Sequence, residues 1–183
     1  SLGTNATSKN STSSLNDKNQ NISINGTLDK LKYNAFFNIT GNSGFSSAKS
    51  TLTIPFEEDT YSSNNGFLKL GYEFNTQLRM DAFLNYDEFD YTFDAGAYND
   101  SDVNLGNQEQ FRIGIRPRLK YKKGEVFLNA SINSLDRSFE SFNSFSGGTN
   151  VFIYKGTSVN LDFVNKYEFT KNFQLITGIN YQK

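Results

Sequence analysis

Residues 111–121 read Phe-Arg-Ile-Gly-Ile-Arg-Pro-Arg-Leu-Lys-Tyr. Phe111, Ile113, Ile115, Pro117, Leu119 and Tyr121 take every second position, and Arg112, Gly114, Arg116, Arg118 and Lys120 take the rest. A β-strand turns successive side chains to opposite faces, so this order makes one apolar face and one strongly charged face. On a helix the same residues would scatter apolar groups around the whole circumference. Pro117 has no N–H to give to a ladder, and a bulge or local break is expected there.

The alternation recurs outward from this segment. It is found at Ile22–Leu28, Leu31–Thr40, Phe67–Phe74, Leu78–Asp87, Glu125–Asn133, Val159–Phe169 and Phe173–Tyr181. These are eight strands in all, with no helix among them. Four connections are tight and rich in turn residues: Asp29-Lys30, Asn75-Thr76-Gln77, Lys122-Lys123-Gly124 and Thr170-Lys171-Asn172. Between them lie three long connections, roughly 42–64, 93–108 and 138–152. Short and long connections therefore alternate, which places all short turns at one end of an up-and-down sheet. Outer-membrane barrels have this layout. Phe74, Tyr72, Tyr121, Tyr167, Phe169, Phe173 and Tyr181 lie on the apolar face and are expected to form an aromatic band near the short turns. The fold expected is all-β: an antiparallel up-and-down meander of about eight strands, of the outer-membrane β-barrel type, as a fragment of a larger barrel. Residues 1–20, almost all Ser, Thr, Asn, Lys and Gly, read as a polar linker or arm, or at most a weak edge strand; residues 21–183 read as the barrel segment.

Composition narrows the function. The 183 residues hold 18 Lys+Arg and 19 Asp+Glu, and the pI is near 5.5, a balance that argues against a dedicated nucleic-acid binder. With no Cys and no His, the chain has no disulfide framework, no thiolate metal site and no His-based triad. Gly147-Gly148 stands alone in a Ser/Asn-rich stretch, and no phosphate-cradling glycine pattern is present. No enzyme is expected. Only 36% of residues are hydrophobic, yet the chain has 18 Phe and 10 Tyr with two Pro, which suits many strands. No run approaches the length of a membrane-spanning helix.

Two groups of residues are candidate sites. Arg112, Arg116 and Arg118 form a basic stripe on the polar face, which is expected either to contact a ligand in a lumen or to pair with neighbouring acids. Glu57, Glu58 and Asp59 in the first long connection, with Asp94, Asp100 and Asp102 in the second, offer hard oxygen ligands for calcium. Their spacing matches no EF-hand.

Three segments resemble TonB-dependent outer-membrane receptors. Leu31–Ala48 (LKYNAFFNITGNSGFSSA) resembles a strand near the start of that barrel running into a Gly-Phe-Ser stretch, here Gly44-Phe45-Ser46. Gly66–Asn85 resembles the next hairpin, and Gln108–Asn133 the one after. The order of strand and loop lengths is most similar to the vitamin B12 (cobalamin) class, over about residues 20–183. The resemblance implies a bacterial outer-membrane location and contact with outer-membrane lipid. It also implies a small-molecule ligand such as cobalamin or a siderophore, captured by the outer loops. A plug domain and TonB would then be partners in the parent protein. That family's barrel has about 22 strands, so eight would be its first third. Two alternatives remain open: a small complete eight-stranded outer-membrane barrel, and a soluble β-sandwich serving binding or adhesion. The readings differ in one observable. In a soluble sheet Phe111, Ile113, Ile115 and Leu119 are buried, whereas in a membrane wall they face outward and the arginines face in.

Overall fold

The computed structural model describes residues 2–10, 17–46, 48–50, 56–101, 103–143 and 145–183. Among these, every regular element is a strand. β1 (Leu2–Asn10), β2 (Lys18–Leu28), β3 (Leu31–Asn42), β4 (Tyr61–Glu73), β5 (Leu78–Thr92), β6 (Leu105–Tyr121), β7 (Gly124–Asn143), β8 (Gly148–Thr170) and β9 (Phe173–Gln182) pair in chain order into one antiparallel sheet. β1 falls within the segment expected as an arm or weak edge strand, and brings the count to nine. β1 and β9 share no ladder among the described residues, so the sheet is open.

Register confirms the period-two alternation. Leu68, Leu84, Ile113 and Ile132 follow one another across β4 to β7, and Leu70, Ala82, Ile115 and Ala130 do the same one step along. Directly paired residues share a face, so these rows are one continuous apolar surface. Pro117 interrupts the β6–β7 ladder between the pairs Ile115–Ala130 and Arg118–Phe127. The register is the same on both sides, so the break is local and no bulge forms. A bulge occurs instead between Glu168 and Thr170, where β8 meets β9.

The apolar face is the exposed one. Phe111, Ile113, Ile115 and Leu119 are all exposed, Ile113 at 47%. On the opposite face Phe83 retains 6% and Ser131 4%, and Gly71, Gly106 and Gly114 are buried. A curved sheet shelters the side chains on its inner side, so the charged face is the inner one. A β-sandwich needs a second sheet over the apolar face, and the described residues form a single sheet.

One connection differs from expectation. The stretch 138–152 is not a long loop: β7 and β8 run on until only residues 144–147 remain between them. Phe139 pairs with Phe152 at a centroid distance of 4.6 Å, and Tyr154 stacks at 5.9 Å. The Asn143 side-chain oxygen accepts from the Phe145 and Ser146 N–H groups at 2.9 and 3.3 Å, and Gly147 supplies the positive φ of 67° that closes the turn. Polar serines hide this strand in the sequence, while the rings hold it. The other two long connections survive, shortened to 43–60 and 93–104.

Candidate functional site

Polarity changes along the height of the sheet. On the outer face, Phe37, Gly66, Tyr86 and Phe111 form one row, and the next row toward the long loops is Ile39, Asn64, Glu88, Glu109, Asp136 and Lys155. Asn64 donates to Glu88 at 3.0 Å, and Lys155 pairs with Asp136 at 3.2 Å. Toward the short turns the outer face ends in a second set of rings. Tyr72 meets Phe74 edge-on at 4.8 Å, Tyr121 lies over Tyr167 at 6.4 Å, and Tyr167, Phe169 and Phe173 continue the chain at 4.6 and 5.4 Å. Tyr181, expected in this band, pairs instead with Leu161 in the middle of the sheet, because eight residues separate it from the Phe173 end of its strand. Between the two rims, no outer position of β2 to β9 carries a charge among the described residues.

The inner face reverses this order. Level with the apolar belt it carries an ion-pair network. Lys32 meets Glu73 at 2.7 Å, Arg79 meets Asp81 at 2.9 Å and Glu73 at 3.8 Å, and Lys69 meets Asp81 at 3.4 Å. Arg118 and Lys166 both hold Glu125, the latter at 3.3 Å. Arg112, Arg116 and Arg118 do lie on this one face, but the structure separates their roles. Arg118 is paired with an acid. Among the described residues Arg116 donates only to the Asn129 amide oxygen, at 2.9 Å, and Arg112 has a buried Nε with no hydrogen-bond partner. Both of these guanidinium groups lie over the Phe83 ring, at 4.5 Å for Arg116 and 5.7 Å for Arg112.

Above the network the inner face turns aromatic. Tyr61, Phe89, Tyr91 and Phe93 form a chain of ring contacts at 6.0, 5.3 and 5.9 Å, and Phe139, Phe152 and Tyr154 form a second group. Arg137 donates to the Tyr91 hydroxyl at 3.3 Å. Phe45, Tyr61, Tyr91 and Phe93 line a cavity of about 450 Å³ beneath the first long connection. The sequence reading missed this wall. Its signal in β7 is a partial change of phase: Val126, Leu128, Ala130 and Ile132 are even-numbered, with Phe127 the exception, whereas Leu135 and Phe139 are odd-numbered, with Phe142 the exception.

The two long connections lock together at the top. Lys49 N–H donates to the Ala97 carbonyl at 2.7 Å, and the Ser46 hydroxyl donates to Asp94 at 3.1 Å, with Ala48 N–H on the same carboxylate oxygen. Fully buried Asn104 accepts from Phe142 N–H at 2.8 Å and ties the second connection to β7. This brings together three of the six acids expected to be cation ligands. Oxygens of Glu57, Asp94 and Asp100 all lie within 4.8 Å of one another. Glu58 and Asp59 are not part of that group, and Asp102 lies outside the described residues. Burial, followed by hydrogen bonds to Glu57 and Asp94, pushes the Asp100 carboxyl up to about 7. Asp100 therefore keeps its proton to a higher pH than a free carboxyl does, beside Glu57 and Asp94.

This has a consequence for pH. The folded junction binds the Asp100 proton more tightly than the open chain does, since an unperturbed Asp titrates near 3.8. Its stability is complete below that value and falls as pH rises to about 7. The protection factor of the Lys49 amide, corrected for intrinsic exchange, will fall over that window, and Asp100→Asn will abolish the fall. A flat profile in the parent chain would show that the Asp100 carboxyl is not shifted upward.

Comparison with known proteins returns no match. No protein-family model fits the chain, and neither a curated protein nor a solved structure matches it.

Proposed function

We propose that this chain is a wall segment of a bacterial outer-membrane β-barrel, with its apolar face against lipid and its charged face toward a polar interior. We further propose that the parent is a TonB-dependent receptor for a scarce small molecule such as cobalamin or a siderophore, with a plug domain and TonB as partners. No enzymatic role is part of this proposal.

One observation carries the barrel reading. The two aromatic rims on the exposed face stand ten residues apart along β6, from Phe111 to Tyr121. At about 3.3 Å per residue and a tilt of about 40°, that spacing spans roughly 25 Å, the height of a barrel's lipid-facing band. Rings suit both limits of that band because they tolerate headgroups at one edge and acyl chains at the other. The receptor reading rests on the resemblance of Leu31–Ala48, Gly66–Asn85 and Gln108–Asn133. The calcium expectation attaches to Glu57, Asp94 and Asp100. Calcium competes with the Asp100 proton, so millimolar calcium should hold the Lys49 amide protected above pH 7. An unchanged profile would remove calcium from the reading.

Because the chain has no cysteine, single-cysteine variants test the topology cleanly. In lipid vesicles, Ile113→Cys should be shielded from a water-soluble maleimide and accessible to a lipid-borne one. Lys155→Cys and Arg112→Cys should react from water. Equal labelling of Ile113→Cys and Lys155→Cys from water would overturn the barrel reading. Uptake of labelled cobalamin by cells lacking the gene tests the receptor reading separately: unchanged uptake would remove cobalamin and leave the wall intact.

A further inference from the structure

The inner face is not electrically closed. Lys32, Lys69, Arg79, Arg118 and Lys166 each meet a carboxylate. Arg112 and Arg116 meet none among the described residues, although they sit six and two positions from the paired Arg118 along β6. They flank Gly114 on one face of the strand, and Phe83 of β5 pairs with Gly114. A side chain at Gly114 would collide with the ring at 2.4 Å, so glycine is what lets Phe83 lie flat between the two guanidiniums. Phe83 is also one of the most buried apolar side chains described. Its ring fixes both cations from below and leaves their outer edges facing the interior.

We propose that Arg112 and Arg116, mounted on Phe83, form a receptor for an oxyanion presented to the inner face, either a carboxylate or a phosphate. Three features carry this. Among the described residues Arg112 Nε is a buried donor with no acceptor, and a polar atom so placed costs stability until it is matched. Two like charges over one ring repel each other, and an anion between them removes that cost. A guanidinium presents a planar fork of donors that suits the two oxygens of a carboxylate, or two of a phosphate. Arg116 already spends its Nε on Asn129, which orients its remaining nitrogens. The neighbouring acids do not close the site, because Glu125 is shared by Arg118 and Lys166, and Asp81 by Arg79 and Lys69.

This deepens the wall reading, since it names what the interior side receives; it fails independently, because cysteine labelling reports lipid contact alone. The test uses the full chain folded in zwitterionic micelles, with the arginine Nε–H resonances followed by NMR. Two probes are titrated: inorganic phosphate, and an acetylated, amidated diglutamyl peptide. Sodium chloride at matched ionic strength is the control. Saturable shifts at Arg112 and Arg116, with Arg79 and Arg118 unmoved, are expected. Arg112→Gln and Arg116→Gln should each weaken binding about tenfold or more, while Arg118→Gln should leave it unchanged. Retention of the Phe83 ring shifts in each variant shows that the platform still folds. Tighter binding of the peptide assigns the site to a polypeptide segment within the interior, and tighter binding of phosphate assigns it to a small anion; either supports the oxyanion site. Shifts of equal size at all four arginines, no saturation with either probe, or full binding by Arg112→Gln would overturn it.

Discussion

Ile113→Lys will cost the chain about 2–4 kcal/mol of folding free energy in a bilayer, and Glu109→Lys will cost about 0–1 kcal/mol or less. Both positions are on the outer face of β6, four residues apart, and both point to the same side of the sheet. Ile113 lies between Leu84 and Ile132, in the middle of the apolar belt, where an ammonium group would have only apolar cross-strand neighbours. Glu109 lies between Glu88 and Asp136, in the polar row above the rim. Lysine there meets two carboxylates and water. Urea titration of the chain in vesicles measures both. The same pair reverses if the apolar face is buried against protein in water: Ile113→Lys then abolishes soluble folding outright, and no lipid is needed to see it. Similar small losses at both sites would mean that the belt touches neither lipid nor a core.

Gly114→Val should be the most disruptive single change on the inner face, at about 1–3 kcal/mol or more. The added Cβ would lie 2.4 Å from the Phe83 ring and 2.7 Å from the Ala130 carbonyl oxygen. A ring can tilt away, but a ladder carbonyl cannot move without disturbing β7. Phe83→Ala made in the Gly114→Val background will therefore recover only part of the loss. Gly156→Ala provides the comparison, because nothing lies within 4 Å of its Cβ direction and its φ is an ordinary one. That change is expected to be neutral or to stabilise by about 0.4–1 kcal/mol through the unfolded chain. Chemical denaturation of the three variants in one detergent distinguishes them. If Gly114→Val and Gly156→Ala behave alike, the close approach of Phe83 does not contribute to stability.

The strands were legible where alternation is clean. Phe111 to Tyr121 announces its two faces without help, and pairing then carries the pattern to its neighbours. The upper parts of β7 and β8 were not legible, because Ser138, Ser141 and Ser146 mimic loop composition and the rings that stabilise the hairpin are distant in sequence. The inner aromatic wall was hidden for a related reason. Along one strand it is a shift of phase, and it becomes a surface only when Tyr91, Phe139 and Phe152 are placed side by side. Among the acids, composition named the right loops, but only folding selects Glu57, Asp94 and Asp100 from six. The division of the arginine stripe was likewise invisible, since the partner of Arg118 is on the next strand and the Phe83 platform is on the previous one.

The hairpin of β7 and β8 has a mechanical meaning. Its ladder is unbroken from Gly124–Tyr167 to Asn143–Gly148. The portion beyond the Ser134–Thr157 pair extends roughly 30 Å at about 3.3 Å per residue. A loop of the same length would absorb a push at its tip by changing shape. A twisted, paired ribbon bends as one body, so displacement at residues 145–147 becomes a torque at its base. That base is Ser131 and Asn133, paired with Gly114 and Arg112. Whatever presses on the tip therefore works, through a stiff lever, on the strand that carries Arg112 and Arg116.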